Sequence, residues 1–302
     1  MSTSLVRLAR PDELPLALSI LLTVQPAEER PTRLAQALQL IDSGLLECHV
    51  VVVERQGQLV GAINCQPTAG EAGLIWPPVF QDESKRAEEE ALLIRYACDW
   101  LRQQGARLVQ CCLPISDCEL GRPLLAQGFS RLGWLLSLRH DLQLSDQPQD
   151  WLVGYRLQTF TPDSRSDFQS TILETYEDTQ DFPEMNGIRD IAAVLAGHQA
   201  AGRFDPSRWW LLYRDDKAVA VLLLNELYDG EWEIAYVGVV PQARRQGIAR
   251  RLVRQGLQFA RVEGASRVTL AVDERNHVAW HLYEQLGFRL YEQRQVFLWV
   301  AR

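Results

Sequence analysis

The sequence predicts an α/β protein made of two tandem domains with the same fold. A chain of 302 residues is long for one domain and suits two of ordinary size. In both halves, short apolar runs typical of strands alternate with amphipathic stretches typical of helices. A single offset of 159 residues superposes a helix, a strand and a second helix of the second half on the first, without gaps. We therefore predict an internal repeat.

The elements that carry this repeat occur in the same order in both halves. The offset places Leu252 on Leu93 in the helix Ala87–Gln104, Val272 on Leu113 at the end of the strand Arg107–Leu113, and Gly287-Phe288 on Gly128-Phe129. A polar segment that contains a proline, Gln143–Asp150, is the predicted linker. The predicted domains are therefore residues 1–145 and 152–302.

Composition and charge limit the class of protein and its partners. The chain is 47% hydrophobic and 23% charged, as in soluble globular proteins, and no apolar run reaches membrane-spanning length. A formal charge of −8 argues against nucleic acid or an anionic membrane as a partner. All six cysteines lie in the first half, without the spacing of a zinc site or a disulfide framework. We expect a cytoplasmic protein with reduced thiols and no metal.

Residues 237–249 predict a turn that binds a diphosphate. An apolar, β-branched run stops at Pro241, and two arginines and a glycine precede an amphipathic helix. Gly247 lets the backbone approach a ligand, and the first helical N–H groups are unpaired at the positive end of the helix dipole. Arg244 and Arg245 add positive charge beside those donors. The four arginines on the polar side of the helix are interpreted as a solvated face: Arg250, Arg251, Arg254 and Arg261.

Two motifs in the second half resemble the signatures of the GNAT superfamily of N-acetyltransferases. Arg244-x-x-Gly247-x-Ala249 resembles the acyl-CoA signature Q/R-x-x-G-x-G/A, and the stretch from Asn276 to Phe288 is similar to the second signature, N-x-x-A-x-x-L-Y-E-x-L-G-F. The resemblance implies a mixed, mostly antiparallel sheet flanked by helices, with acetyl-CoA as the acyl donor. It implies donor contacts at Val237, Val239, Arg244, Arg245, Gln246, Gly247, Ile248, Ala249 and Asn276.

The same resemblance suggests two catalytic residues. Asn276 and Tyr283 are seven residues apart and share one helix face, and in the family the tyrosine protonates the departing CoA thiolate. Glu233 occupies the place of the glutamate that serves several family members as a general base. Structural alternatives remain open: Asn276 as a helix N-cap, Tyr283 as core packing, and Glu233 as an exposed strand residue.

The strand that carries Glu233 belongs to a predicted hairpin. Asp229-Gly230 is a turn signal between Val219–Leu224 and Glu231–Val240. Alternation along the second strand places Glu233 on one face and Trp232 on the other.

The first half lacks the residues of both signatures. At the same offset, Gly247 corresponds to Glu88 and Tyr283 to Leu124, and the acids Glu88-Glu89-Glu90 stand where a diphosphate would bind. Such charge opposes CoA binding while stabilising the start of a helix. We expect a non-catalytic first domain, an arrangement that resembles the mycothiol synthase family, in which the C-terminal domain is active.

The acceptor is less defined by the sequence. The acidic segment Glu174–Glu184 carries two aromatic residues and suits a cationic amine, with a solvated helix end as the alternative. Alternation predicts that one of Trp209 and Trp210 is buried and the other exposed. The resemblance to the GNAT superfamily implies direct transfer to an amine, and the lack of a cysteine in the second half agrees with it. We expect a small-molecule or peptide amine as the acceptor. The alternatives are a longer acyl donor and a non-catalytic acyl-CoA-binding or scaffold protein.

Overall fold

The computed structural model describes residues 4–81, 86–142, 154–227 and 230–301. The chain divides into two compact units, one formed by the chain up to Leu132 together with the segment from Gln295, the other by Gly133–Arg294. These units differ from the predicted ranges 1–145 and 152–302. The strand before the predicted linker belongs to the second unit, and the chain from Gln295 belongs to the first. The predicted linker, 143–150, lies outside the described residues, as does Asp229 of the predicted hairpin turn.

The first unit is a mixed, mostly antiparallel sheet with helices on both faces. Its elements are β1 (Leu5–Leu8), α1 (Leu14–Leu21), α2 (Arg30–Asp42), β2 (Val50–Arg55), β3 (Gln58–Thr68), β4 (Ala72–Ile75), β5 (Val79–Phe80), α3 (Arg86–Gln103), β6 (Leu108–Pro114) and α4 (Arg122–Ala126). Its strands lie in the order β1-β2-β3-β4-β6, and in the part of the chain that the structure describes only β4 and β6 of these pair in parallel.

The second unit has the same architecture. Its elements are most of β7 (Ser130–Asp141), β8 (Tyr155–Thr159), α5 (Arg165–Thr175), α6 (Ile191–Ala200), β9 (Trp209–Arg214), β10 (Lys217–Glu226), β11 (Glu231–Val239), α7 (Ile248–Val262), β12 (Arg267–Asp273), α8 (His277–Gln285) and the first half of β13 (Arg289–Val300). Its strands lie in the order β8-β9-β10-β11-β12-β7, and among the described residues of this order only β11 and β12 pair in parallel.

The structure confirms the internal repeat. The offset of 159 residues relates both ends of three pairs of strands, β2 to β9, β6 to β12 and β7 to β13. It also carries α3 onto α7, which begins three residues later and ends at the equivalent residue. The predicted fold class, two tandem α/β domains of one kind, is confirmed.

Each unit completes its sheet with a strand from the other half of the sequence. In the second unit, Leu135–Asp141 of β7 pair antiparallel with the full length of β12. In the first unit, the Ala301 N–H donates to the Arg107 carbonyl, 2.9 Å away, and Phe297 packs in the core beside Leu113 and Phe129. A Cβ at Gly121 would collide with the Phe297 ring, so only glycine fits there.

The sheet of the second unit buries apolar side chains on both faces. One face packs on α7 and α8 through residues such as Leu222 and Val253, and the other packs on α5 and α6 through Phe168 and Leu223. Both Trp209 and Trp210 are buried, so the prediction that one is exposed was wrong. The reason is that β9 is covered on both faces, which a strict in/out alternation does not anticipate. Among the described residues, no helix is long and apolar enough to span a bilayer.

Candidate active site

The sheet of the second unit opens between its two parallel strands. β11 and β12 pair only from Glu231 to Glu233 against Arg267 to Thr269. Both strands continue, to Val239 and Asp273, without further pairing to each other. The opening therefore begins at Glu233, and it offers backbone groups and space inside an otherwise continuous sheet.

A β-bulge sets which side chains of β11 face this opening. The register against β10 shifts so that Leu224 opposes Ile234 while Leu223 opposes Tyr236, which leaves Ala235 as the extra residue. The alternation predicted for Trp232 and Glu233 holds up to this point. Beyond it, the bulge brings Tyr236 to the same face as Glu233, against α5, while Val237 packs toward the α7 face.

The turn after β11 presents open backbone at the start of α7. Gly247 lies in the left-handed region, with φ 75° and ψ 8°, and no side chain of the described residues caps the helix. The N–H groups of the first turn thus have no partner within the helix, and nothing lies within 4 Å of where a Gly247 Cβ would be. This geometry suits a phosphate-bearing ligand. Ile248 is buried and Ala249 partly buried, so both offer backbone rather than side chains.

The side chain of Arg244 is engaged with the protein. Its guanidinium donates to the carbonyls of Val239 (3.1 Å), Thr175 (3.2 Å) and Glu177 (2.6 Å). Arg244 therefore ties the turn to the end of α5. That its positive charge also serves a ligand stays a prediction. Arg245 is exposed, has a left-handed backbone with φ 64°, and forms no ion pair within the described part of the chain.

Asn276 caps α8. Its Oδ1 accepts a hydrogen bond from the Ala279 N–H at 3.2 Å, which is the structural alternative left open by the sequence. This contact accounts for the residue type without a ligand. A contact with the donor stays a prediction.

Tyr283 belongs to the core on the α7 and α8 face. Its ring centre lies 5.8 Å from that of Phe288, and burial raises the pKa of its hydroxyl well above the ordinary value. The hydroxyl has no hydrogen-bond partner among the described residues, and it lies near enough to Asp181 and Tyr236 for their charges to interact. The ring is packed as the structural alternative predicted, and the raised pKa keeps the hydroxyl protonated. Its role as an acid stays a prediction.

The opposite face of β11 carries a cluster of rings beside Glu233. The Tyr236 hydroxyl and Thr175 Oγ1 are hydrogen-bonded at 2.6 Å, and the rings of Tyr176 and His198 lie 6.2 Å and 5.7 Å from that of Tyr236. Burial lowers the pKa of His198 to about 4, so its imidazole is neutral at physiological pH. Desolvation also raises the pKa of the Glu233 carboxyl above its ordinary value. A catalytic role for Glu233 stays a prediction.

Asp181 was not singled out by the sequence, although it lies in the acidic segment Glu174–Glu184. Asp181 Oδ1 accepts from the Asp273 N–H at 2.8 Å, and Asp273 Oδ2 accepts from the Phe182 N–H at 3.0 Å. The residue as a whole is exposed, yet the protein surrounds its carboxyl, and desolvation raises its pKa. Phe182 is left-handed with φ 42°, a strained state for a bulky side chain.

The equivalent place in the first unit is filled by the protein itself. The Glu89 carboxylate is buried, receives Arg55 Nη2 at 2.7 Å and accepts from Ser4 Oγ at 2.6 Å. This ion pair explains the acid as part of the structure. Glu89 occupies the position of Ile248 in the second unit.

Comparison with known proteins shows what the fold and the second half of the chain are similar to. Residues 171–288 match the model of the Acetyltransferase (GNAT) family. A GCN5-related N-acetyltransferase from Sphaerobacter thermophilus superposes with a TM-score of 0.64 at 19% identity, over 99% of this chain and 96% of that one. A tandem GNAT protein from the clavulanic acid biosynthesis pathway gives 0.57 at 15% identity, over 99% of both chains. Residues 171–288 are thus similar to the GNAT family, and the chain as a whole shares the fold of these two solved structures.

Two curated relatives carry the same name. Mycothiol acetyltransferase from Thermomonospora curvata is 33% identical over 169 residues, which are 55% of each chain. The enzyme of the same name from Thermobispora bispora is 33% identical over 174 residues, 54% of this chain and 57% of the relative. The matches thus span about half the length of these relatives.

Proposed function

We propose that this protein is an acyl-CoA-dependent N-acyltransferase that transfers acetyl from acetyl-CoA directly to an amine. The observation that carries the proposal is the opening of the sheet after Glu233 and Thr269, next to the uncapped start of α7. The sheet opening suits the thioester of an acyl-CoA, and the uncapped N–H groups at the start of α7 suit its diphosphate. The GNAT family match over residues 171–288 supports the same donor.

The donor is held mainly by backbone in this proposal. The turn from Arg245 to Gly247 and the first turn of α7, with Ile248 and Ala249, supply N–H groups to the diphosphate. Val237 and Val239 line the opened edge of β11. A backbone N–H on this edge polarises the thioester carbonyl. Arg244 contributes by fixing the turn on α5.

The chemistry requires a proton acceptor for the amine and a proton donor for the thiolate. Glu233, directly or through water, takes a proton from the ammonium, and the neutral amine attacks the thioester carbonyl. The carbon–sulfur bond then breaks, and Tyr283 gives its proton to the CoA thiolate. The nitrogen passes its second proton, directly or through water, to the tyrosinate of Tyr283, which restores the acid. The raised pKa values of Glu233 and Tyr283 suit these opposite roles.

The acceptor enters from the face of α5 and α6 in this proposal. Glu233 and Tyr236 lie on that face because of the bulge, and Asp181 approaches from the loop after α5. Carboxylates beside neutral rings favour a cationic amine. The curated relatives are named for mycothiol, and the amine acceptor of this chain, small molecule or peptide, is unassigned.

The test is a screen of amine and peptide acceptors with acetyl-CoA, read by release of free thiol. We expect at least one acceptor with turnover that Glu233→Gln reduces by about a hundredfold or more. Acetyl-CoA binding without turnover for any acceptor would instead support a non-catalytic acyl-CoA-binding protein. Glu231→Gln is the matched control, since Glu231 lies on the same strand but is paired with Arg267 at 2.6 Å.

A further inference from the structure

Two arginines at equivalent positions of the repeat have different partners. Arg55 ends β2 and Arg214 ends β9, and the offset of 159 residues relates them. Arg55 forms a buried ion pair with Glu89. The residue equivalent to Glu89 is Ile248, so Arg214 lacks this partner, and no carboxylate of the described residues forms an ion pair with it.

Arg214 instead points to the turn before α7. Arg214 Nη1 donates to Gln246 Oε1 at 3.2 Å, and the Tyr155 hydroxyl donates to the same oxygen at 3.5 Å. Gln246 is exposed and directly precedes Gly247. Two donors from β8 and β9 thus converge on one neutral amide oxygen at the edge of the open backbone. An anionic oxygen is a stronger acceptor for a guanidinium than an amide oxygen.

We propose that Arg214 binds the diphosphate of the CoA donor, with Gln246 Oε1 occupying the place of a phosphate oxygen in the free protein. The inference rests on the proposed function and adds a residue outside both sequence signatures. It also explains the contrast between the two halves. In the first unit the equivalent arginine is neutralised by Glu89, whereas in the second unit its charge is available to a ligand.

The experiment measures the affinity of the intact protein for acetyl-CoA by calorimetric titration, for wild type, Arg214→Ala and Arg214→Lys. We expect Arg214→Ala to weaken binding by about tenfold or more, because a charge-assisted contact is lost. Arg214→Lys should retain part of the affinity, since it keeps the charge without the fork of donors. Arg156→Ala is the control, because Arg156 lies on the neighbouring strand with its guanidinium over the Tyr213 ring, 4.5 Å from the centre.

A second ligand and a second substitution distinguish the possible results of this experiment. The loss in Arg214→Ala should be the same with 3′-dephospho-CoA, since both ligands carry the diphosphate. A loss seen only with CoA would overturn the assignment to the diphosphate. Wild-type binding with unchanged affinity in a folded Arg214→Ala would overturn the inference alone, and Arg214→Gln repeats this test if the alanine variant unfolds. Absence of binding to wild type would overturn the proposed donor and the inference together.

Discussion

Glu233 and Thr269 are the last paired residues of two parallel strands that continue apart. This relationship places a carboxyl with a raised pKa at the point where the sheet opens. β11 continues for six more residues, to Val239, paired among the described strands with β10 alone. The side chain that the sequence proposed as a base thus stands at the entrance to the opening. The rings of Tyr236, Tyr176 and His198 lie on the same face of β11.

The acid limb of the pH profile should belong to Glu233. A base must be deprotonated to act, and desolvation raises the pKa of this carboxyl. Activity should therefore rise with pH through a value above that of an ordinary glutamate. In Glu233→Gln, the pH dependence on the acid side should disappear and kcat should fall by about a hundredfold. The affinity for acetyl-CoA should be unchanged. An unchanged limb in the variant would move the assignment to Asp181, which Asp181→Asn tests in the same assay.

Replacing Tyr283 by phenylalanine should separate its two roles. The ring would still pack on Phe288, so the midpoint of thermal unfolding should change little. The hydroxyl would be lost, and kcat should fall by about ten- to a hundredfold. Steady-state kinetics and thermal unfolding of one sample measure both effects. Equal kcat in wild type and variant would remove Tyr283 as the acid.

The main contribution of Arg244 should be to the stability of the fold. Arg244→Ala removes three hydrogen bonds to backbone carbonyls and should lower the free energy of unfolding by about 1–3 kcal/mol. Arg245→Ala removes an exposed cation and should leave stability nearly unchanged. Chemical denaturation compares the two variants. Equal losses in both would contradict the clamp described for Arg244.

The second unit should need β7 to fold. A fragment of residues 133–294 contains the compact unit, whereas the predicted domain 152–302 lacks the strand that pairs with all of β12. We expect the first fragment to unfold cooperatively and the second to be unfolded or aggregated, because β12 would present an unpaired edge. Circular dichroism with thermal melting distinguishes them. A cooperatively folded 152–302 fragment would show that the exchanged strand is dispensable.

His198 should make the protein sensitive to mild acid. The pKa of its imidazole is about 6.5 in an unfolded chain and about 4 in the fold, where burial disfavours the charged form. Between these values the unfolded state binds more protons, so stability falls as pH decreases from about 6.5 toward 4. His198→Phe should reduce this slope, while His281→Gln, at an exposed position, should not. Denaturation curves at several pH values measure the slopes.

The sequence was sufficient for the fold class, the repeat and the turn before α7, because these depend on local patterns and a fixed spacing. It could not reveal the bulge at Ala235, since no local signal marks the extra residue that brings Tyr236 to the face of Glu233. The sequence also could not predict that each unit completes its sheet with a strand from the other half of the chain. β7 and β13 are repeats of each other with similar patterns, and only long-range pairing decides which sheet each completes. The roles of Arg244 and Arg214 likewise depend on contacts between distant segments.

The central claim is that the chain contains the fold twice and one acyl-CoA site, in the second unit. Calorimetric titration of acetyl-CoA into the intact protein tests it most directly, together with Gly247→Glu checked for folding by thermal melting. We predict one binding event per chain in wild type and none in the folded variant, since a side chain and a negative charge would replace open backbone at the left-handed position. Two binding events per chain, or equal affinity in the variant, would contradict the claim.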